Sequence, residues 1–425
     1  MTVLMVGGGG REHALIRKLK ESPRVGKIYC APGNGGISRD AECRNVSACD
    51  IDGMVALAKE IQADLVFVAP DDPLAAGMVD AMEANGFRAF GPRANAAVIE
   101  SSKSFSKDMM KKYHIPTAAY EVFTDADQAC DYIRAQNQYP VVIKADGLAL
   151  GKGVIIAEDE ATAIKAVDDM MRGGAFGDSG KKVVIEEFLT GPEVSVLSFT
   201  DGKTIVPMIS SMDHKRALDG DRGLNTGGMG TVAPNPFYTE EVARQCMEQI
   251  FLPTVHAMND MGRPFKGCLY FGLMITEKGP RVIEYNARFG DPETQVVLPL
   301  LKTPLIDIVE AVIDGRLDQI NVEFSDEACA CVVMASGGYP ASYPKGIEIK
   351  GLDSNGQVDG AVVYHAGTSY DGKTFYTAGG RVLGVTATGE TLDRALEAAY
   401  DVVKRINFDG AHYRTDIGRK KFTRS

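Results

Sequence analysis

The stretch "RVIEYNARFGDPETQ", Arg281–Gln295, predicts a β-strand from Val282 to about Phe289 that has one polar face. Alternate side chains of a strand point to opposite sides. One side would carry apolar groups for a core: Ile283, Tyr285, Ala287 and Phe289. The other side would carry, beside Val282, an acid, an amide and a guanidinium: Glu284, Asn286 and Arg288. Such groups are costly to bury without partners, so this strand is expected to border a polar site.

The composition narrows the function classes. The chain has 425 residues, of which 45% are hydrophobic, and its net charge is −11. That charge disfavours a large nucleic-acid surface. No apolar run approaches ~18 residues, so we expect no membrane span. The start, "MTVLMVGGGG", lacks a basic segment and a cleavage site, so we expect no secretory signal.

The eight cysteines are scattered and have no zinc-ligand spacing. Cys329 and Cys331 would share one face of a strand. We therefore expect buried, reduced thiols and a cytoplasmic protein.

Three units follow one another along the chain. Residues 1–101 alternate short apolar strands with helices, which predicts a parallel sheet covered on its faces. Ligands of such sheets bind beyond the carboxyl ends of the strands, where three polar loops fall: Gly7–Gly10, Pro32–Gly36 and Pro70–Pro73.

Residues 102–325 have an α+β pattern. "YPVVIKA" is predicted to pair with "GVIIA", "KKVVIEEFL" with "EVSVLSFT", and "YFGLMIT" with "RVIEYN" around a turn at Lys278-Gly279. A long helix is expected near "TEEVARQCMEQIFLPTVHAMNDM". Residues 326–425 form a third, small α+β unit, whose last helix has an apolar face: Leu392, Ala395, Leu396, Ala399 and Val403.

Two glycine-rich motifs suggest phosphate binding. "VGGGGREH", Val6–His13, joins a strand to a helix, and amides at such a turn favour an anion. Glu12 replaces the third glycine of the dinucleotide fingerprint, which disfavours a nicotinamide dehydrogenase; a turn without a ligand is the alternative. "VVIKADGLALGKGV", Val141–Val154, is not a Walker motif, because a strand follows it. Its Lys144, Lys152 and glycines favour nucleotide phosphates, against the alternative of a plain surface hairpin.

Two further motifs could contact a nucleotide or an anion. "VVIEEFLTGPEVS", Val183–Ser195, ends a strand in paired acids, and it is either a solvated strand end or an adenine hinge. "DHKRALDGDRGLNTGGMG", Asp213–Gly230, is predicted to be a loop without secondary structure, which is usually functional or disordered. His214 alone would more often be structural, but beside Lys215 and Arg216 it favours anion recognition.

The polar face of the strand predicted from Val282 to about Phe289 suggests a metal site. Glu284 and Asn286 are oxygen ligands two residues apart, which suits Mg²⁺. Arg288 could clamp a carboxylate or a phosphate, and Asp291 and Glu293 could accept hydrogen bonds from an amine. The alternative is a structural ion pair between Glu284 and Arg288.

Taken in order, these motifs resemble those of the glycinamide ribonucleotide synthetases (phosphoribosylamine–glycine ligases), ATP-grasp enzymes of purine synthesis. The likeness covers essentially the whole chain and is carried by "GGGGREHAL", "SSK", "KADGLALGKGV", "EEFL", "DHKR", "NTGGMG", "RFGDPETQ", "GGYP" and "AGGRVL". It implies a Rossmann-like N-terminal domain, an ATP-grasp core with a mobile lid at about 120–190, and a small C-terminal domain. It also implies that ATP drives the ligation of glycine to 5-phosphoribosylamine through glycyl phosphate.

The resemblance also implies roles for individual residues. The metal ligands for Mg²⁺ or Mn²⁺ would be Glu284 and Asn286. The ATP contacts would be Lys103, Lys144, Gly151, Lys152, Gly153, Glu186, Glu187, Phe188, Leu189, Glu193, Arg216 and Asn225. The substrate contacts would be Gly8, Gly9, Asn34, Asp71, Asp213, Lys215, Thr226, Gly227, Arg288, Asp291, Pro292 and Glu293. The catalytic groups would be Lys144, Arg288, His214 and Asp291.

The chain departs from the family pattern at Ala69 and Asp71, where Gly and Glu are usual, and at Leu224, where Pro is usual. Two other functions stay open at this point: a carboxylate–amine ligase with a different acid or amine, and a non-catalytic ATP-binding regulator. We expect a monomer that acts on small molecules.

Overall fold

The N-terminal part of the chain folds as a parallel sheet. The computed structural model describes residues 1–148, 153–174 and 177–419. Five strands pair in parallel in the order β3-β2-β1-β4-β5: β1 (Thr2–Gly7), β2 (Lys27–Pro32), β3 (Glu42–Cys43), β4 (Leu65–Val68) and β5 (Ala89–Phe90). The helices of this part are α1 (Gly10–Lys20), α2 (Ile51–Glu60), α3 (Asp71–Ala75), α4 (Met78–Ala84) and α5 (Ala94–Ser101). The predicted Rossmann-like arrangement is confirmed.

The next part is a four-stranded antiparallel sheet, which we call the small sheet, and it has its own core. Its strands run in the order β6-β9-β7-β8: β6 (Tyr120–Phe123), β7 (Val141–Ala145), β8 (Val154–Ala157) and β9 (Val183–Glu187). The helices are α6 (Lys103–Lys112), which leads into it, and α7 (Ala126–Gln136) and α8 (Glu160–Met171), which pack on it. Its buried core residues lie between 129 and 185. The predicted pairing of the strands around Lys144 and Val154 is confirmed.

A second antiparallel sheet, the central sheet, follows. Its order is β11-β10-β16-β17: β10 (Glu193–Asp201), β11 (Ile205–Pro207), β16 (Lys266–Thr276) and β17 (Gly279–Asn286). β9 pairs with β6 and β7 rather than with β10, so the predicted pairing of those two strands is wrong. The connection 188–192 carries the chain from one sheet to the other, where Gly191, at φ +145°, lies against the carbonyl of Ile275.

The long helix predicted before the hairpin is present and contains one wide turn. It comprises α9 (Glu240–Cys246), a π-helical turn (Met247–Phe251) and α10 (Leu252–Asp260). Pro253 follows that turn and has no N–H to donate, and such wide turns occur where the helical ladder is interrupted. Two helices after the hairpin complete this part: α11 (Thr294–Val297) and α12 (Leu305–Asp314).

The hairpin of β16 and β17 forms as predicted, but a bulge changes which side chains face the core. Leu273 lies opposite Val282 and Gly272 opposite Glu284, so Ile283 is an extra residue in β17. Val282 is therefore fully buried with Tyr285, whereas Ile283 borders the cavity described below. The expected faces of Val282 and Ile283 are thus reversed, and the strand ends at Asn286 rather than near Phe289.

The segment Asp213–Gly230 is not the structureless loop that the sequence suggested. β13 (Arg216–Leu218) and β14 (Arg222–Asn225) form a two-stranded hairpin, which we call the cavity hairpin. Its flanks, β12 (Met212–Asp213) and β15 (Gly230–Ala233), join a sheet with β18 (Ala328–Ala335), β20 (Val362–His365) and β23 (Arg381–Gly389). The C-terminal part is completed by a three-stranded sheet and one helix. The strands are β19 (Glu348–Ile349), β21 (Thr368–Tyr370) and β22 (Phe375–Thr377), and the helix is α13 (Leu392–Val403).

The last helix buries the face that its sequence pattern predicts, and most of the cysteines are buried as expected. In α13, Ala395, Leu396, Ala399 and Val403 are buried and Leu392 is partly buried. All eight cysteines are free thiols; six are buried, whereas Cys43 is half-buried and Cys49 is exposed, contrary to expectation. A helix long and apolar enough to cross a bilayer does not occur in the described residues.

Four phenylalanine rings join the parallel sheet to the central sheet. The ring of Phe289 lies 6.0, 6.3 and 5.9 Å, centroid to centroid, from those of Phe67, Phe90 and Phe199. Phe289 is 1% exposed and directly follows Arg288. This cluster therefore anchors the chain at the point where the polar face of the hairpin ends.

Replacement of Phe289 by Ala should lower the free energy of unfolding by about 3–5 kcal/mol, because it leaves a cavity among three rings. Urea denaturation measures the effect. The half-exposed Leu252 is the control, and its change to Ala should cost less than about 1 kcal/mol. Equal effects of the two substitutions would contradict the anchoring role.

Candidate active site

A cavity of about 720 Å³ lies where the small sheet, the central sheet, the cavity hairpin and the C-terminal part meet. It brings together most of the residues that the sequence suggested. Those on its lining are Asp71, Lys103, Lys144, Gly153, Glu186, Glu187, Phe188, Leu189, Glu193, Asp213, Lys215, Arg216, Asn225, Thr226, Gly227, Glu284, Asn286, Arg288, Asp291 and Glu293.

One end of the cavity is cationic. Lys144, on β7, is 4% exposed; its Nζ lies 3.0 Å from Glu186 Oε1 and donates to the carbonyl of Ile283 at 3.1 Å. Lys107 Nζ lies 2.9 Å from the other oxygen of Glu186. Burial alone would raise the pKa of Glu186, but the two lysines lower it overall. Burial lowers the pKa of Lys107 to about 8.

Lys103 adds a third cation to this end, since its Nζ donates to the carbonyl of Gly147 at 2.8 Å. Lys103, Lys107 and Lys144 together give this part of the lining several cationic donors, which suits phosphate groups. Lys107 was missed in the sequence, although it lies one helical turn beyond Lys103 on α6 and so shares its face.

The adjoining wall of the cavity is apolar and ends in polar groups. Val142, Val154, Ile156 and Met274 line it, beside Phe188 and Leu189 of the inter-sheet connection. Glu187 Oε2 accepts a hydrogen bond from the amide of Ala119 at 3.3 Å. A slot between aliphatic side chains, next to backbone groups of a strand end, is the usual environment of a flat heterocycle.

Glu284 and Asn286 both face the cavity from β17. Glu284 Oε1 lies 3.6 Å from Lys215 Nζ, which is also 3.4 Å from Glu193 Oε2. Burial would raise the pKa of Glu284, but Lys215, Lys144 and Lys103 lower it, so the carboxylate is held ionised. The side-chain amide of Asn286 makes no hydrogen bond to any described residue.

This pair fits Mg²⁺, which commonly takes one or two protein oxygens and completes its shell with phosphate and water. No group of three or more potential metal-binding side chains occurs in the described part of the chain. The alternative ion pair between Glu284 and Arg288 is not formed, because each has other partners.

Arg288 lies between two carboxylates. Its Nη2 is 3.2 Å from Glu100 Oε1 and 3.8 Å from Asp71 Oδ2. Glu100 also accepts a hydrogen bond from the amide of Ala287 at 2.6 Å. Nε of Arg288 is buried without a partner among the described residues, whereas the side chain as a whole is 20% exposed and lines the cavity, so a ligand would meet its Nη groups.

Glu100 is a site residue that the sequence analysis missed. It lines the cavity and is 9% exposed. Burial raises its pKa from 4.5 to about 7, in spite of Arg288. Its only signal was its place before "SSK", directly after a helical apolar run, and nothing in the sequence pairs it with Arg288.

The far end of the cavity is acidic and is tied to the C-terminal part. Asp291 accepts from the amide of Arg11 at 3.3 Å and from Gln295 at 2.8 Å. Arg381 donates to the carbonyl of Asp291 at 2.8 Å and to that of Gly227 at 2.6 Å. Tyr339 accepts from the amide of Gly227 at 3.0 Å. Arg381 and Tyr339 fall in "AGGRVL" and "GGYP", whose motifs carried the resemblance without a role for either residue.

Two more acids lie buried at this end. Glu293 is 5% exposed, and Ser195 donates to it at 3.4 Å. Burial, and then Glu293, raise the pKa of Asp213 well above its usual range, against the opposing effect of Lys215 and Arg381. Asp213 and Glu293 both line the cavity, so either carboxyl group can contact a ligand.

Other suggested residues lie elsewhere. His214 is 1% exposed and does not line the cavity; Nδ1 lies 3.1 Å from the carbonyl of Gly230, and Nε2 accepts from the amide of Gly418 at 3.0 Å. Both ring nitrogens are thus engaged by the backbone, so His214 corresponds to the structural alternative and not to a catalytic group.

The glycine turn also differs from expectation. The amide of Gly9 is occupied by the carboxylate of Glu12, its acceptor at 2.6 Å. Asn34 uses its amide on the carbonyls of Gly8 and His365, at 2.9 and 2.8 Å. Gly8, Gly9 and Asn34 therefore brace the turn against the C-terminal part, beside the cavity and outside its lining.

Pro292 lies outside the lining as well: its Cδ would be 2.5 Å from a Cβ at position 228. It packs beneath the cavity hairpin. Gly151 and Lys152 lie outside the described residues.

A cleft between two antiparallel sheets that is lined by several lysines and by a carboxylate–amide pair defines an ATP-grasp enzyme. Models of the phosphoribosylglycinamide synthetase N domain, ATP-grasp (A) domain and C domain match residues 1–100, 101–294 and 329–420. The chain belongs to the phosphoribosylglycinamide synthetase family.

Named relatives agree. The chain is 47% identical to the phosphoribosylamine–glycine ligase of Caldanaerobacter subterraneus, over 98% of this chain and 99% of that protein. It is 48% identical to the enzyme of that name from Brucella melitensis, over 98% and 97%. The solved phosphoribosylamine–glycine ligase of Thermotoga maritima superposes with a TM-score of 0.86 at 33% identity, over 98% of this chain and 100% of that one.

Glu100→Gln should change the pH dependence of stability. Because the folded state binds this proton more tightly than the unfolded state, wild-type stability falls as pH rises from about 4.5 to about 7. Gln cannot ionise, so the variant should gain about 3 kcal/mol relative to wild type across that window. Urea denaturation at pH 5 and pH 8 measures this, with the exposed Glu390→Gln as the control. A stability difference that is the same at both pH values would mean that Glu100 titrates normally.

Proposed function

We propose that this protein ligates glycine to 5-phosphoribosylamine, with conversion of ATP to ADP and phosphate, and so forms glycinamide ribonucleotide. The observation that carries the proposal is that Arg288, the lysines around Glu186 and the carboxyl groups of Asp291 and Glu293 line one cavity. The reaction needs both kinds of group, because it first joins two anions and then admits an amine.

ATP would bind with its base in the apolar slot by Phe188 and Leu189 and its phosphates toward Lys103, Lys107 and Lys144. Glu187 and Glu193, which line the cavity, would accept hydrogen bonds from the ribose hydroxyls. Arg216 and Asn225, at the two ends of the cavity hairpin, lie on the same lining and would close over the nucleotide. Gly153 lies where the predicted phosphate-covering loop rejoins β8.

Glu284 and Asn286 would hold Mg²⁺ or Mn²⁺ against the phosphates, and the bound ion would neutralise charge on the transferring phosphoryl group. The protein's own contribution is to keep Glu284 ionised through Lys215, Lys144 and Lys103. Because Glu284 is already ionised, it does not have to lose a proton when the metal ion binds.

Arg288 would orient glycine. Its Nη groups can hold the substrate carboxylate while one carboxylate oxygen attacks the γ-phosphorus and the bond to ADP breaks. The amine of phosphoribosylamine then attacks the carbonyl carbon of glycyl phosphate, the C–O bond breaks, and phosphate leaves with that oxygen. Asp291, Asp213 and Glu293, which share the lining with Thr226 and Gly227, would contact the amine substrate.

We further propose that the protein acts as a monomer in the cytoplasm. The alternative, a ligase for another acid or amine, is tested by measuring ADP release while glycine and freshly generated phosphoribosylamine are omitted in turn. Turnover that persists without either substrate would contradict the proposed function.

Glu284→Gln keeps the shape of the side chain and removes its charge. Turnover should fall at least ~10²-fold even at saturating Mg²⁺, as for other groups that stabilise transition-state charge, while binding of ATP without metal should survive. The exposed Glu277→Gln, in the turn of the same hairpin, should be active. A normal kcat for the Glu284 variant would rule out the metal assignment.

Glycine labelled with ¹⁸O in its carboxylate should pass one oxygen to inorganic phosphate, and mass spectrometry of the phosphate measures this. Unlabelled phosphate from a productive wild-type reaction would exclude the acyl-phosphate route.

Arg288→Lys keeps the charge but loses the planar fork, so the KM for glycine should rise much more than the KM for ATP.

A further inference from the structure

The cavity hairpin has little to hold it in place by itself. β13 and β14 pair with each other through an irregular register, and no other described strand joins them. Isolated two-stranded hairpins are marginally stable at best. Yet Arg216 and Asn225, at its two ends, and Asp221, in its turn, all line the cavity.

A segment almost two hundred residues further along the chain holds this hairpin. We call residues 412–418 the C-terminal strap. His412 Nε2 lies 2.7 Å from the carbonyl of Ala217, and the amide of Gly220 donates to Asp416 at 2.8 Å. The amide of Thr415 donates to Asp219 at 2.8 Å. The strap therefore contacts β13 and the turn that follows it.

Arg414 is the centre of the strap. Its side chain is among the largest fully buried ones in the described structure, at 1% exposure for the residue. Nη1 donates to the carbonyl of Arg216 at 3.1 Å and to Asp221 at 2.9 Å, and Nε and Nη2 make a two-point contact with Asp416 at 2.7 and 2.9 Å.

A buried guanidinium is expensive unless its donors are paired. Here the pairing groups belong to the hairpin and to the strap, so the guanidinium is satisfied only when the two are docked. A planar fork with five donors fixes direction as well as distance. The hairpin's position over the cavity is thus set by Arg414 rather than by its own strand pairing.

We propose that Arg414 is a positioning residue of the ligase, which fixes the cavity hairpin so that Arg216 and Asn225 face the nucleotide. This inference rests on the proposed function. It goes beyond it in making nucleotide affinity depend on the C-terminal strap, a part of the chain that does not line the cavity.

A merely structural role for Arg414 predicts a different result. A general loss of stability would lower the amount of active enzyme and leave both KM values unchanged. A positioning role raises the KM for ATP selectively, because the glycine site at Arg288 is fixed by Glu100 and Asp71 and not by the strap.

The test compares Arg414→Lys with Arg405→Lys. Arg405 is an exposed arginine of the same C-terminal part that donates to the carbonyl of Asp359 and does not touch the hairpin. In Arg414→Lys the KM for ATP should rise about tenfold, the order of one charged hydrogen bond, and the KM for glycine should stay within about twofold. Trypsin should cut within 215–222 faster, and ATP should slow the cut. Arg405→Lys should match wild type.

A second variant covers the case in which Arg414→Lys fails to fold. Asp219→Ala removes the two hydrogen bonds that Thr415 of the strap donates to a half-buried side chain of the hairpin turn, and it should raise the KM for ATP about threefold with the thermal midpoint unchanged. An unchanged KM for ATP in the folded variants, or an equal rise in both KM values, would overturn the positioning role. A wild type that releases no ADP with both substrates present would overturn the proposed function instead.

Discussion

The guanidinium of Arg288 is held by carboxylates from two other elements, and the arrangement of the site follows from that contact. Asp71 comes from the start of α3, at the carboxyl edge of the parallel sheet, and Glu100 comes from α5. Arg288 lies two residues after the end of β17. Three elements distant in sequence must therefore meet before the charge of Arg288 is balanced, and the cavity forms where they meet. The phenylalanine cluster beside it supplies the apolar contact that makes this meeting favourable.

The lining of the cavity carries groups of opposite charge. Lysines surround Glu186, while Asp291, beside Arg381, and Glu293 lie on the same lining. In a partly buried site such charges act more strongly than they would in water. The cavity that Arg288 lines can therefore accommodate both an anion and an amine, as an acyl-phosphate route requires.

Local patterns in the sequence predicted what local physics determines. Tyr285, Ala287 and Phe289 are buried as alternation predicts, and α13 buries the face that its spacing predicts. Ile283 was assigned to the wrong face because period-two reasoning cannot see an inserted bulge residue. β9 was paired with the wrong strand because a five-residue connection resembles a hairpin turn, although here it links two sheets.

The same limit explains the site. Glu284, Asn286 and Lys144 could be found from residue type and place on a strand. Glu100, Arg381 and Arg414 could not, because each acts through a contact with a distant part of the chain. His214 stood in a polar motif, yet only the approach of Gly418 and Gly230 reveals that both its nitrogens are occupied.

The sheets also determine which part of the molecule is free to move. β12 and β15 belong to one sheet with strands of the C-terminal part, so those parts cannot separate without breaking ladder hydrogen bonds. The small sheet differs: its buried core residues lie between 129 and 185, and it shares no ladder with the central sheet. Its described polar links to the rest of the chain include the bond from Lys144 to the carbonyl of Ile283 and the hydrogen bonds that Asp146 accepts from Ser102 and Ser104. A unit with its own core and its own ladder can rotate as a body when such links open. Because Lys144 and Glu186 lie on it, its closure would bring the phosphate-binding groups and the cover against water into place together.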